Sequence, residues 1–393
     1  MLGVTKLLCS IASVSDSLQK GRETSKLPAR LLQFSSDKRP VIVWNITNRC
    51  NLHCLHCYSS SGKELPGELS TEEGLRLIDD LADYKVPVII FSGGDPLMRK
   101  DLFTLAGRAY KRGMRCALST NGLFIDRDTA KKIKDTGFSY VGVSLDGIGE
   151  TNDLFRGMRG AFEKGLSGLR HCHAEGITAG LRFNLNKRTM GHLKALFDLI
   201  ESEGIPRGYV SHLVYSGRGS RLKNEDLSHE ETRKAVDYIF QRVEAFHRKG
   251  LDKEILLGNN DADGIYLYLK VKEKNPFQAE RVYELLKLRG GNSSGVALGN
   301  IDSIGNVHAD QFWQYYSFGN VKKRGFGEIW EDRSDPLMAG LKKRKDVIKG
   351  RCGECKFLDI CGGNYRVRAE AVYGDVWESD PACYLSDEEI GLS

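Results

Sequence analysis

Short apolar runs alternate with longer amphipathic stretches from residue 41 to residue 214. The runs at 41–47, 86–92, 114–120, 140–145, 178–185 and 208–215 are rich in β-branched and aromatic residues, the pattern of buried strands. Between them, 71–84, 101–112, 126–136, 161–174 and 190–202 repeat apolar positions at helical spacing, the first opened by the capping pair Ser70 and Glu73. Strand and helix in this alternation build βα units around a parallel sheet, so the pattern predicts an α/β fold of six such units. Six is fewer than the eight of a closed TIM barrel.

Beyond residue 216 the pattern changes. Residues 227–249 read as a helix opened by Ser228 and Glu231, and 277–288 as a shorter one. A glycine-rich stretch follows at 290–321, with hairpin-like strands at 296–301 and 306–308. The predicted organisation is an N-terminal extension (1–38), a barrel (39–225), a helical bridge (226–289) and a C-terminal module (290–393).

With 393 residues, 40% of them hydrophobic, the chain has the composition of an ordinary globular protein, and no apolar run predicts a membrane span. The apolar stretch at 7–14 has only Lys6 before it and no convincing cleavage site, so a signal peptide is not expected and the cytoplasm is. A net charge of +6 does not imply nucleic acid as a partner and suits an anionic small substrate. Seven of the ten cysteines fall in two clusters, which favours metal ligation in a reducing compartment over disulfides. Cys9, Cys116 and Cys172 are read as small hydrophobes.

The first cluster, Cys50, Cys54 and Cys57, offers three thiolates in a three-then-two spacing. An iron-sulfur cube takes four cysteines, so three would leave one iron open. Zinc completed by His53 or His56 is the competing reading, and a c-type haem site is excluded because Tyr58 stands where histidine is needed. The second cluster, Cys352, Cys355, Cys361 and Cys383, completes a set of four, and its spacing suits structural zinc or a 4Fe-4S cluster. Loops of glycine, hydroxyl and amide residues follow successive strands: Ser92-Gly93-Gly94-Asp95, Ser119-Thr120-Asn121-Gly122 and Ser144-Leu145-Asp146-Gly147. Reactive groups in parallel βα folds gather at such strand ends.

The cysteine spacing and these loops resemble the radical S-adenosylmethionine (SAM) superfamily. That resemblance implies a partial (βα)6 TIM-like barrel, open on one side, with a 4Fe-4S cluster on Cys50, Cys54 and Cys57 whose free iron chelates SAM. It puts Gly93, Gly94 and Asp95 at the amino group of SAM, although the family usually has glutamate at the Asp95 position. Ser144 and Arg156 are implied at the SAM carboxylate or ribose, and Asn184 and Asn186 at the ribose. The C-terminal cysteines resemble a SPASM or twitch-type extension, which implies an auxiliary 4Fe-4S cluster on Cys352, Cys355, Cys361 and Cys383. Only one such cluster is expected, because the hairpin carries His308 and no cysteine, and Asn364 stands where a further cysteine would often lie.

The stretches 27–34, 40–59, 212–220 and 380–385 resemble the tetrapyrrole-modifying radical SAM enzymes of haem biosynthesis. The implied substrate is an iron-containing modified tetrapyrrole that loses ring acetate arms after hydrogen abstraction by a 5′-deoxyadenosyl radical, with ferredoxin or flavodoxin as electron donor. Relatives acting on propionates, a peptide maturase, and a non-catalytic scaffold with structural zinc in both clusters are the alternatives. A flat polycarboxylate calls for basic and aromatic partners, so Arg182, Arg218 and Arg221 are candidates for its carboxylates, and Trp313, Tyr315 and Tyr316 for its face. His212 and His308 are candidates for ligating its iron or moving a proton.

Overall fold

In this computed structural model residues 1–10 and 39–392 are described; the run 27–34 and most of the expected N-terminal extension lie outside the described residues. In chain order the strands are β1 (Leu2–Gly3), β2 (Val41–Asn45), β3 (Val88–Ser92), β4 (Arg115–Thr120), β5 (Phe138–Ser144), β6 (Ala179–Leu185), β7 (Arg207–His212), β8 (Glu254–Gly258), β9 (Leu298–Ile301), β10 (Asn306–His308) and β11 (Gly319–Asn320). They form one sheet in the order β1-β8-β7-β6-β5-β4-β3-β2-β9-β10-β11. β2 to β7 are the six expected strands, parallel throughout.

The parallel sheet continues beyond those six at both sides. β8 pairs with β7, and β9 pairs with β2, so the span expected to be a helical bridge contains a barrel strand, and the hairpin of the module is built onto the barrel. β1 covers the outer edge of β8 in antiparallel register, which removes a row of unpaired backbone groups. The helix expected at 227–249 runs His229–Arg248 from a capping box of Ser228 and Glu231, and the one at 277–288 runs Pro276–Arg289. A third helix, Ala262–Lys274, lies between them.

Strand periodicity decides which side chains meet the helices. Ile42, Trp44, Ile89, Phe91, Leu118, Val141, Val143, Leu181 and Phe183 are buried in the core between sheet and helices. Each such side chain stabilises the fold by roughly 1.5–3 kcal/mol through removal from water. The alternate positions face the lumen and turn polar toward the carboxyl ends of the strands: Asn45, Ser92, Ser119, Ser144, Asn184 and Ser211.

Candidate functional site

The Cys50–Cys57 loop leaves the carboxyl end of β2 and is held by its backbone. Cys50 N–H donates to Gly62 O (2.8 Å), His53 N–H to Arg156 O (3.1 Å) and Leu55 N–H to Phe155 O (3.0 Å). Two glycines let neighbouring loops touch it. A Cβ on Gly94 would lie 2.0 Å from Arg49 O, and one on Gly217, whose φ is +54°, would lie 2.3 Å from Tyr58 O. Arg218 completes the hold, donating from Nε to Cys54 O (2.8 Å) and from Nη1 to Ser61 O (3.0 Å). Its guanidinium therefore organises the cysteine loop. Arg221 is solvent-exposed.

Asp146 is the hub beneath the thiols. Arg156 Nη2 donates to Asp146 Oδ2 at 2.5 Å, His56 Nε2 lies 3.5 Å from the same oxygen, and Asn184 N–H donates to Asp146 Oδ1 at 2.7 Å. Arg156 Nη1 stands 3.8 Å from Cys54 Sγ, so a fixed cation faces the thiol. A cation in that position favours thiolate, the form that binds metal. His56 stacks on Phe155 with ring centroids 4.8 Å apart, and burial lowers its pKa to about 4, so it is neutral at pH 7. Burial pushes the Cys50 thiol up to about 12 and raises Cys54 as well.

Asp95 is fully buried. Its Oδ2 accepts from Thr120 Oγ1 (2.7 Å) and Asn121 N–H (2.8 Å), and its Oδ1 from Leu97 N–H (3.0 Å). The carboxylate thus ties the Gly93-Gly94 loop to the loop after β4, and its bonds in this structure are to protein donors rather than toward open space. Asn184 and Asn186 bond each other (3.0 Å), and Asn186 Oδ1 accepts from Arg188 N–H (3.0 Å). Ser144 is half-buried at the end of β5, facing the lumen.

Within the lumen, Arg182 donates to Ser119 Oγ and lies 5.2 Å over the Tyr209 ring. Tyr58 OH bonds Asn45 Oδ1 (3.0 Å), and its ring meets Phe312 at 5.6 Å; Phe312 in turn meets Tyr365 at 5.8 Å. Tyr58, Phe312 and Tyr365 thus form a continuous aromatic row with Phe312 buried at its centre. Trp313 is buried in the same core cluster as Phe312, Tyr316 OH is bonded to Asp335 Oδ2 (2.7 Å), and Tyr315 is 59% exposed with its OH on Glu370. The sequence pattern singled out Trp313, Tyr315 and Tyr316 and passed over their neighbour Phe312.

Both candidate histidines have structural partners. His212 Nε2 is 3.0 Å from Asp263 Oδ2, whose other oxygen accepts from Tyr384 OH (2.7 Å). His308 Nδ1 is 2.7 Å from Tyr316 O, and its Nε2 is 3.4 Å from Asp302. Asp146 and Asp263 are the polar residues that sequence reasoning left out of the site. Asp146 stood inside a strand-end motif, while Asp263 gave no signal, since its partners are distant in sequence.

In the module, Cys352 and Cys361 are buried, Cys383 Sγ accepts from Arg351 Nη1 (3.4 Å) and Cys355 Sγ from Phe357 N–H (3.4 Å). Burial raises the Cys361 thiol well above its ordinary value, and Asp261 and the other three thiols add to that. Asn364 Oδ1 accepts from Asp261 N–H (2.7 Å) and its Nδ2 donates to Asn260 Oδ1 (2.7 Å), fastening the module to the loop after β8. All ten cysteines are free thiols, and among the described residues no three ligating side chains converge tightly enough for a single metal ion. Around the first loop, however, His56 Nδ1, Asn152 Nδ2 and Arg156 Nε are buried without a partner. Buried donors are rarely left so, and Asn152 Nδ2 and Arg156 Nε fit a bound anionic group; His56 Nδ1, on a neutral ring whose Nε2 faces Asp146, is left as an acceptor.

A family model described as the radical SAM superfamily matches residues 44–200, which span β3 to β6 and all three cysteines of the first loop. Fe-coproporphyrin III synthase from Methanosarcina barkeri is 58% identical over 395 residues, covering 100% of this chain and 99% of that protein. The chain belongs to the radical SAM superfamily. Pre-heme d1 synthase from Dinoroseobacter shibae is 45% identical, covering 90% of this chain and 88% of that one. The solved structure described as native anSMEcpe with bound AdoMet superposes with a TM-score of 0.69 at 18% identity, covering 90% of this chain and 96% of that one, a likeness of fold that takes in the module. Membership implies a 4Fe-4S cluster and SAM as cofactors. No helix among the described residues is long and apolar enough to cross a membrane.

Proposed function

We infer that this chain is a radical SAM enzyme of haem biosynthesis that converts 12,18-didecarboxysiroheme to iron-coproporphyrin III by removing two ring acetate arms. The observation that carries the reading is 58% identity along the whole chain to a protein named Fe-coproporphyrin III synthase. The cluster and SAM, when bound, supply the hydrogen-abstracting radical.

Around that chemistry the protein's own residues hold and shield. Cys50, Cys54 and Cys57 are the cluster ligands in this reading, with Arg156 as the neighbouring cation and Asp146 fixing its orientation. Gly93, Gly94, Asp95, Ser144, Asn184 and Asn186 shape the SAM pocket; Asp95 does so by holding two strand-end loops in register, since its oxygens bond protein donors. Arg182 takes a substrate carboxylate, and Tyr58, Phe312 and Tyr365 cover the macrocycle face and exclude water. Cys352, Cys355, Cys361 and Cys383 hold one auxiliary 4Fe-4S cluster, supported by four buried or half-buried free thiols with Arg351 alongside. A low-potential one-electron carrier such as ferredoxin or flavodoxin supplies the electron, and ten free cysteines suit the cytoplasm.

Anaerobic turnover tests the reading: the tetrapyrrole product should lose two acetate arms of equal mass, with acetate released. Processing at the propionates instead would move the chain to the propionate-acting alternative.

A further inference from the structure

A second feature lies away from the barrel mouth. A cavity of about 460 Å³ is lined by Tyr268, Leu269, Lys272, Tyr283, Lys356 and Phe357. Its floor is aromatic: the Tyr268 ring centroid is 5.3 Å from Tyr283 and 6.0 Å from Phe357. Its rim carries two cations, with Lys272 Nζ 5.9 Å over Tyr268 and Lys356 Nζ 5.3 Å over Phe357.

The charge state of this rim sets it apart from the surrounding surface. Lys270 reaches Glu273 (3.8 Å), Lys274 reaches Glu244 (3.1 Å), Lys349 reaches Asp375 (2.7 Å), and Lys345 pairs with Asp359. Among the described residues neither Lys272 nor Lys356 has a carboxylate partner. The groove also abuts the module's cysteines, since Lys356 directly follows Cys355 and Phe357 N–H donates to Cys355 Sγ.

We propose that this groove docks an acidic one-electron carrier protein and is where that carrier exchanges an electron with the auxiliary cluster. The proposal rests on the assignment of that cluster to Cys352, Cys355, Cys361 and Cys383. Two cations without counter-charges attract a carboxylate-rich surface, and aromatic rings give a contact patch that water leaves readily. One electron passes from the reduced carrier to the oxidised cluster; no bond forms or breaks and no proton moves. The cavity is too small for a folded partner, so it receives a protruding acidic loop while the bulk of the carrier rests on the surrounding surface.

The test uses the full chain carrying Cys50→Ala, Cys54→Ala and Cys57→Ala, so that only the auxiliary cluster reports. Reduced flavodoxin, an acidic protein, is mixed with this chain and with its Lys272→Glu, Lys356→Glu derivative under stopped flow. Charge reversal should slow cluster reduction by about tenfold or more at low salt, with the gap closing as salt is raised. Reduction by dithionite should change by less than about twofold, because a small reductant does not need the docking surface. Equal flavodoxin rates would overturn the proposal, as would an equal loss with dithionite. Loss of a dimer on charge reversal would assign the groove to a second copy of the chain instead, and equal slowing with free flavin mononucleotide would assign it to a small anion. Absence of iron from the starting chain is a separate result, which removes the auxiliary-cluster assignment itself and the docking site with it.

Discussion

The two cysteine sets differ in how they are held. Cys50, Cys54 and Cys57 sit on one loop fixed almost wholly through its backbone, by Arg218 on two carbonyls and by Gly94 and Gly217 at close approach. That arrangement leaves the thiol face of the loop for ligands. Cys352, Cys355, Cys361 and Cys383 come from separate turns and helices that are locked by side chains: Arg368 bonds both oxygens of Asp380, with Nη2 to Oδ2 at 2.8 Å, and donates to Leu213 O and Asn259 O of the barrel. A loop with three ligands keeps a position open, whereas a set of four completes itself.

The largest effect should come from the ligands. The variant lacking Cys50, Cys54 and Cys57 should lose 5′-deoxyadenosine formation entirely while retaining about four irons per chain, the content of one cubane. Iron analysis and product assay read the two sets separately; deoxyadenosine from the triple variant would collapse the distinction.

Arg368→Met should loosen the module more than the barrel. Both Arg368 and Asp380 are buried, and removing one partner of a buried pair costs about 3–5 kcal/mol. Hydrogen exchange should show lost protection around residues 350–385 with β2 to β6 protected as before.

Gly94→Ala should do the reverse, at a cost near the upper end of overpacking, about 3 kcal/mol. Its Cβ would press on the backbone at Arg49, so cluster loading on the first loop and SAM cleavage should fall while the auxiliary iron stays. Normal SAM cleavage in this variant would show that the loop is not held as described.

The smallest effect concerns Asp310, on the loop between β10 and β11. Burial raises its pKa from the ordinary 3.8 to about 6, against the opposing bonds from Ser294 and Phe312 N–H. The folded form binds this proton more tightly than the unfolded one, so the contribution is full below pH 3.8 and is lost as pH rises through about 6. Up to about 3 kcal/mol is at stake. Urea unfolding of wild type against Asp310→Asn should show wild type losing ground between pH 4 and 6; parallel curves would remove the effect.

Six strands and their helices were legible because burial on one face and polarity on the other write period and length into the sequence. β8 was not, since its lumen positions carry Glu254 and Gly258 and its five residues sit between long helices. The grouping of seven cysteines into two sets was legible from spacing alone. The roles of Arg218 and His212 were not, because an arginine on backbone carbonyls or a histidine on Asp263 depends on partners supplied by the fold. Asp95 shows the same limit: its position in a strand-end loop was readable, but the Thr120 and Asn121 donors that occupy it were not.

The central claim is the reaction, and mass spectrometry of the tetrapyrrole after anaerobic turnover with SAM and 12,18-didecarboxysiroheme tests it most directly. The account predicts two successive losses of equal mass ending at iron-coproporphyrin III, with one 5′-deoxyadenosine formed per arm removed. Unchanged acetate arms, or a product altered at its propionates, would contradict it.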